Sequence, residues 1–132
     1  VKNYIDQERF DNEIKLLRSL PVPFCPSSAL PERGSYVSRI AAGTPILVTR
    51  DDENNINAFI NACRHRGMQV ASGSGCKTSF VCPYQGWTYG LKGETRHIPG
   101  ADGFPGIDPQ EHGLKQVNAV EKGGIVYVCQ DG

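Results

Sequence analysis

Asn61-Ala62-Cys63-Arg64-His65-Arg66-Gly67 and, after fourteen intervening residues, Cys82-Pro83-Tyr84-Gln85-Gly86-Trp87 form the stretch whose reading decides the fold. A Cys-x-His pair followed by Cys-x-x and a polar residue puts two candidate metal-binding loops within one short span. Thiolate sulfur and imidazole nitrogen on paired loops are the ligands that iron–sulfur and zinc centres use. Gly67 and Gly86 admit backbone conformations and close approaches that a side chain would block, and Pro83 stiffens the second loop. Backbone N–H groups in such loops can point at sulfur and tune a reduction potential. Tyr84 and Trp87 would wall the centre off from solvent.

On either side of this stretch the signals are those of strands. Ser35 to Ile40 is rich in strand formers, and Ile46-Leu-Val-Thr49 follows the turn signal Ala42-Gly-Thr-Pro45. Asp51 to Asn55 is a polar turn, its acidic run read as solvated. Ile56-Asn-Ala-Phe-Ile60 then completes a hairpin over Pro45 to Ile60 that delivers the chain into Cys63. Thr78 to Val81 leads into Cys82, Trp87 to Tyr89 leads out, and Gly90 to Gly93 is a tight turn. Gly100 to Pro109 reads as a Gly/Pro loop. Leu114 to Val120 and Ile125 to Val128 form a closing hairpin around Glu121 to Gly124. Ahead of all this, Asp6 to Leu20 predicts a helix, with Phe10, Ile14, Leu17 and Leu20 at three- and four-residue spacing. Pro21 ends it, and Pro23 and Pro26 keep the following residues extended. The expectation is an all-β fold with two loops carrying the chemistry and one helix in front.

With 132 residues the chain is one domain, large enough to bury a core without disulfides. Fourteen basic and fourteen acidic residues give no bias toward nucleic acid or anionic membranes. No apolar run reaches the roughly 18 residues of a membrane span, and no signal-peptide layout opens the sequence, so a soluble, cytoplasmic protein is expected. Five cysteines, Cys25, Cys63, Cys76, Cys82 and Cys129, are an odd set with uneven spacing. Reduced thiols, some of them ligands, fit this better than a disulfide framework. Cys25 and Cys129 read as small core residues and Cys76 as a partly buried thiol. His97 is placed on a strand leading away from the loops, and His112 on the surface.

The two loops resemble the ligand loops of a Rieske 2Fe–2S domain, and more narrowly those at the N-terminus of the large subunit of ring-hydroxylating oxygenases. That family reads Cys-x-His-Arg-Gly and Cys-Pro-Tyr-His-Gly-Trp. The resemblance extends to the leading helix, the Ile46 to Asp51 strand, Leu91-Lys-Gly93, Ile98-Pro99 and Gly124-Ile-Val-Tyr127. It implies a Rieske-type antiparallel β-sandwich over residues 23–132, with a cluster-binding part at about 61–99 and a helical lead-in over 1–22. Respiratory Rieske proteins carry an extra disulfide-bonded cysteine in each loop, where this chain has Met68 and Tyr84, and a serine where it has Trp87. Fewer donors to sulfur imply a potential near the low end of the Rieske range.

By the same resemblance Cys63 and Cys82 hold one iron, and His65 is one of two imidazoles on the other. Gly67, Tyr84, Gly86 and Trp87 line the cofactor. The second imidazole belongs at position 85, where this chain has Gln85. An amide oxygen leaves the cluster's formal charge unchanged but is a weaker donor to iron and carries no ring proton. The implied 2Fe–2S cluster is therefore incomplete or labile.

The family keeps oxygen activation in a second domain, at a mononuclear iron held by two histidines and a carboxylate. His97 and His112 make no such arrangement, so no residue here is read as catalytic. The expected role is electron relay, from a ferredoxin or reductase to that mononuclear iron, often in a neighbouring subunit of a homo-oligomer. Two alternatives stand beside it. One is a cluster-free Rieske-fold binding or structural module. The other is a zinc site made by Cys63, His65, Cys82 and Cys76.

Overall fold

Ile46, Leu47 and Val48 are all fully buried, although consecutive strand residues point to opposite faces of a sheet. Their strand must therefore be covered on both sides. The computed structural model describes residues 9, 11–12, 19–63, 68–82, 87–97 and 113–130, and shows what covers it.

The described residues form β1 (Val22–Pro26), β2 (Ser35–Ala41), β3 (Thr44–Arg50), β4 (Ile56–Ile60), β5 (Ser74–Cys76), β6 (Ser79–Val81), β7 (Thr88–Gly90), β8 (Thr95–His97), β9 (Gln116–Lys122) and β10 (Ile125–Cys129). A 3-10 turn, Ser27–Ala29, follows β1. One sheet has the order β1-β10-β9-β4-β3-β2-β5 and the other the order β6-β7-β8. All the described pairings are antiparallel.

Alternation along β2, β3 and β4 builds two cores. Val37, Ile46, Val48 and Ala58 pack with Phe24, Cys25, Leu30, Val117, Val126 and Val128. Strands from both ends of the larger sheet thus meet in one core, so the sheet folds back on itself as a sandwich. Tyr36, Leu47 and Phe59 face the other way, into a second core with Cys63, Phe80, Cys82, Trp87, Tyr89, Leu91 and Leu114. Burying each large side chain is worth about 1.5–3 kcal/mol. The small sheet is held over this face by polar ties as well. Thr49 Oγ1 donates to the Leu91 carbonyl at 2.6 Å, the Leu114 N–H donates to the Gly93 carbonyl at 2.8 Å, and Lys92 pairs with Glu53.

The predicted Pro45 to Ile60 hairpin is β3–β4, with Ile46 opposite Ile60. The closing hairpin is β9–β10, but its strands run further, through Glu121 and Lys122, so that Gly123 and Gly124 alone turn the chain at φ 61° and 81°. Asp51 departs from the solvated reading: it is 2 % exposed and bonded within its own turn. Two strands went unread. β1 is an edge strand, where Pro23 and Pro26 cost no ladder bonds. β5 is the three residues Ser-Gly-Cys, with weak strand propensity. Cys76 lies on that edge and is exposed, which corrects the partly buried reading. Cys25 is buried as expected, and Cys129 is half-buried. Of the predicted leading helix, Arg9, Asp11, Asn12 and Ser19 are helical, and the rest lies outside the described residues, as do the Gly100 to Pro109 loop and His112. Among the described residues no helix is long and apolar enough to cross a membrane.

Candidate metal centre

Cys63 follows β4 by three residues and Cys82 follows β6 by one, so each thiol stands where a strand gives way to a loop. The two loops close in the same way. The Cys63 N–H donates to the Met68 carbonyl, and the Cys82 N–H to the Trp87 carbonyl, both at 2.7 Å. Each bond spans five residues and returns the chain close to the thiol it left. Cys63 is 2 % and Cys82 1 % exposed, and both belong to the core beneath the small sheet. Trp87 and Leu114 are buried in that core as well.

Tyr89 supplies the polar contact. Its hydroxyl lies 3.3 Å from Cys63 Sγ. With a ligating thiolate at Cys63 the hydroxyl is the donor, since the thiolate carries no proton. β7 puts Tyr89 there by alternation, because Trp87 and Tyr89 share a face and both enter the core. Sequence reading treated Tyr89 only as a strand residue. The alternation was the available signal, but the contact joins residues 26 apart and depends on the fold.

Asn61 is the second residue that sequence reading left without a role. It is fully buried, and its amide bonds across the first loop. Oδ1 accepts from the Val70 N–H at 2.9 Å and the Ala71 N–H at 3.3 Å, while Nδ2 donates to the Ala71 carbonyl at 2.8 Å and to Ser38 Oγ at 3.0 Å. A buried polar group this fully bonded is a fixed part of the structure.

Of the predicted site residues, Cys63, Cys82 and Trp87 are brought into one core. His65, Gly67, Tyr84, Gln85 and Gly86 lie outside the described residues. Among the described residues no group of three histidines, cysteines or acids converges. Cys76 in particular does not join Cys63 and Cys82; its Sγ donates to the Arg33 carbonyl on the exposed edge. That removes it from the zinc alternative's ligand set. His97 ends β8 directly opposite Thr88, the residue after Trp87. β8 therefore leads back toward the second loop, which corrects the reading that it leads away.

The thiol pair fits the sulfur half of a 2Fe–2S centre: buried, on separate loops, and with a hydroxyl donor at one sulfur. Cys25 differs in kind. Burial pushes its thiol above the ordinary value against the opposing pull of Arg39 and Arg50, and it sits in the other core. It stays protonated as a structural residue.

Comparison with known proteins agrees with this geometry. The family model described as the Rieske 2Fe–2S domain matches residues 21–120. Choline monooxygenase, chloroplastic, from Beta vulgaris is 36 % identical over 105 residues, covering 80 % of this chain and 24 % of that protein. Naphthalene 1,2-dioxygenase with indole bound in its active site superposes with a TM-score of 0.88 at 30 % identity, covering 94 % of this chain and 29 % of that one. A quaternary ammonium Rieske monooxygenase, whose structure is described as giving insights into carnitine oxidation and inter-subunit electron transfer, superposes with a TM-score of 0.84 at 27 % identity. It covers 93 % of this chain and 34 % of that one. The chain thus spans between a quarter and about a third of the length of these relatives.

Proposed function

The chain belongs to the Rieske 2Fe–2S domain family, and from that premise we propose that it is the electron-relay domain of an oxygenase large subunit. The observation that carries the reading is the pair of buried thiols on separate loops in one core, with the Tyr89 hydroxyl 3.3 Å from Cys63 Sγ. A bound 2Fe–2S centre supplies one-electron uptake and release. Cys63 and Cys82 would hold one iron of such a centre, and His65 would give a nitrogen to the other. Gln85 stands at the remaining ligand position and weakens it. Gly67, Tyr84 and Gly86 are the loop residues that the family resemblance assigns to the cofactor. Trp87, Tyr89 and Leu114 keep water from the sulfur side.

Met68 is 40 % and Val81 51 % exposed, each beside a ligand loop's closing bond or its cysteine. Apolar exposure at that end suits contact with other proteins. In this reading a ferredoxin or reductase is the donor, and a mononuclear-iron catalytic domain, within a homo-oligomer, is the acceptor. The substrate is set by that catalytic domain.

Elemental and acid-labile sulfide analysis of protein purified without oxygen tests the proposal. Iron and sulfide in equal amounts, below two of each per chain and lost to a chelator within the experiment, is the expected result. Zinc bound without iron or sulfide would overturn it in favour of the zinc alternative. Stable, folded, metal-free protein that takes up no iron or sulfide would favour the cluster-free module.

A further inference from the structure

The two ligand loops share their closing backbone bond but not what stands behind it. The second loop sits at the end of a hairpin: Val81 pairs with Thr88 and Phe80 with Tyr89, so strand pairing flanks Cys82 and Trp87 directly. The first loop leaves β4 and returns through Val70 and Ala71, which belong to no strand. At the position two residues before the cysteine, the second loop has Phe80, packed edge-on against Tyr36 at 5.3 Å between ring centroids. The first loop has Asn61. Its amide accepts from the N–H groups of Val70 and Ala71 and donates to the Ala71 carbonyl, and the N–H and carbonyl of Ala71 are the pair a neighbouring strand would otherwise bond.

Ser38 extends this arrangement to β2 of the larger sheet. Its Oγ receives the Asn61 amide and donates to the Ala71 carbonyl at 3.4 Å, and its N–H donates to the Gly73 carbonyl at 2.8 Å. The return limb of the loop is thus fixed to the exit of β4 through the Asn61 side chain and to β2 through Ser38. Asn61 also donates its own N–H to the Pro45 carbonyl at 2.9 Å, so the clasp itself is anchored to β3.

We propose that Asn61 is the positioning residue of the first ligand loop, substituting a side-chain amide for the strand pairing that closes the second loop and so holding Cys63 beside Tyr89. The role in cluster binding rests on the reading of Cys63 as an iron ligand; the clasp itself does not. Asparagine suits the task because one group offers an acceptor and two donors in a plane. Aspartate keeps the acceptor and loses the donors. Alanine loses both, leaving the Val70 and Ala71 N–H groups without their acceptor and the Ala71 carbonyl with Ser38 Oγ alone.

Residue-resolved amide exchange on the purified protein tests the clasp. In the parent, Val70 and Ala71 should exchange roughly ten- to a hundredfold more slowly than unprotected amides, despite lying outside any strand. Asn61→Ala should abolish that protection while amides of the core strands β3 and β10 keep theirs. Asn61→Asp, which keeps the acceptor for both N–H groups but turns an oxygen toward the Ala71 carbonyl, should retain part of it. After reconstitution with iron and sulfide, the visible absorption of Asn61→Ala should bleach in chelator several-fold faster than that of Asn61→Asp, at a temperature where both are folded. Free exchange at Val70 and Ala71 in the parent would overturn the proposal, as would a uniform loss of protection in both variants or equal bleaching rates. Should Asn61→Ala fail to fold, the parent's own exchange and Asn61→Asp still decide. Iron and sulfide analysis of the parent bears on the electron-relay reading alone, so the two claims fail separately.

Discussion

The Tyr89 hydroxyl lies 3.3 Å from Cys63 Sγ, where in the proposed relay one atom would bear on the reduction potential. A donor to a ligating thiolate stabilises the more negative, reduced state, so Tyr89→Phe should lower the reduction potential, by up to roughly 60 mV, the one-electron equivalent of about 1.4 kcal/mol. Voltammetry on the reconstituted protein reads this directly, and an unchanged or raised potential would show that the hydroxyl does not act on the sulfur. Residues at this scale were unevenly legible. Cys63, His65, Cys82 and Gln85 stand out because ligand chemistry limits residue type and spacing, which a single sequence displays. Tyr89 and Asn61 do not, since their bonds cross 26 and nine or ten residues of chain and exist only once the sheets have stacked.

The turns joining the sheets have their own consequences. Gly93, between β7 and β8, adopts φ +80°, and a Cβ there would come within 2.4 Å of the Phe59 ring. Gly93→Ala combines left-handed strain with a clash into a fully packed ring, and should cost about 2–4 kcal/mol in denaturant unfolding. A cost below about 0.5 kcal/mol would mean the small sheet is not seated on Phe59 as described. In the β3–β4 turn, burial alone would raise the Asp51 carboxyl, but bonds from the Asn57 amide and the Asn55 and Glu53 N–H groups outweigh it and hold it below its ordinary value. Glu121 on β9 is likewise held down, by the Arg50 guanidinium. Both groups bind protons less readily folded than unfolded. Their stabilisation is present above the unfolded value of about 4 and is lost as pH falls through the lowered folded values. Thermal melts should therefore be flat from about pH 5 to about pH 8 and fall below about pH 4, more shallowly in Asp51→Asn. Melting independent of acid would contradict this. Strand formers and turn residues made β3, β4, β9 and β10 readable, whereas β1 is obscured by prolines that an edge tolerates and β5 by its lack of strand formers.

At the scale of the molecule, β2, β3 and β4 form a middle layer between two cores, one purely structural and one carrying both thiols. The Ile46-Leu-Val run announces burial on both faces, but not which partners cover each face, because β1 and β10 come from opposite ends of the chain. The layering puts Cys82 and Trp87 at the end of the small sheet, and Met68 and Val81, near the two thiols in sequence, are exposed. In the proposed relay the last ligand position falls to a single side chain, Gln85. Gln85→His, reconstituted with iron and sulfide beside the parent, tests the central claim most directly by visible absorption and by electron paramagnetic resonance of the reduced protein. The variant should give a stable Rieske spectrum that survives a chelator, with the parent giving a weaker signal that fades. A folded Gln85→His protein with no Rieske spectrum would contradict the claim that this is an electron-relay domain.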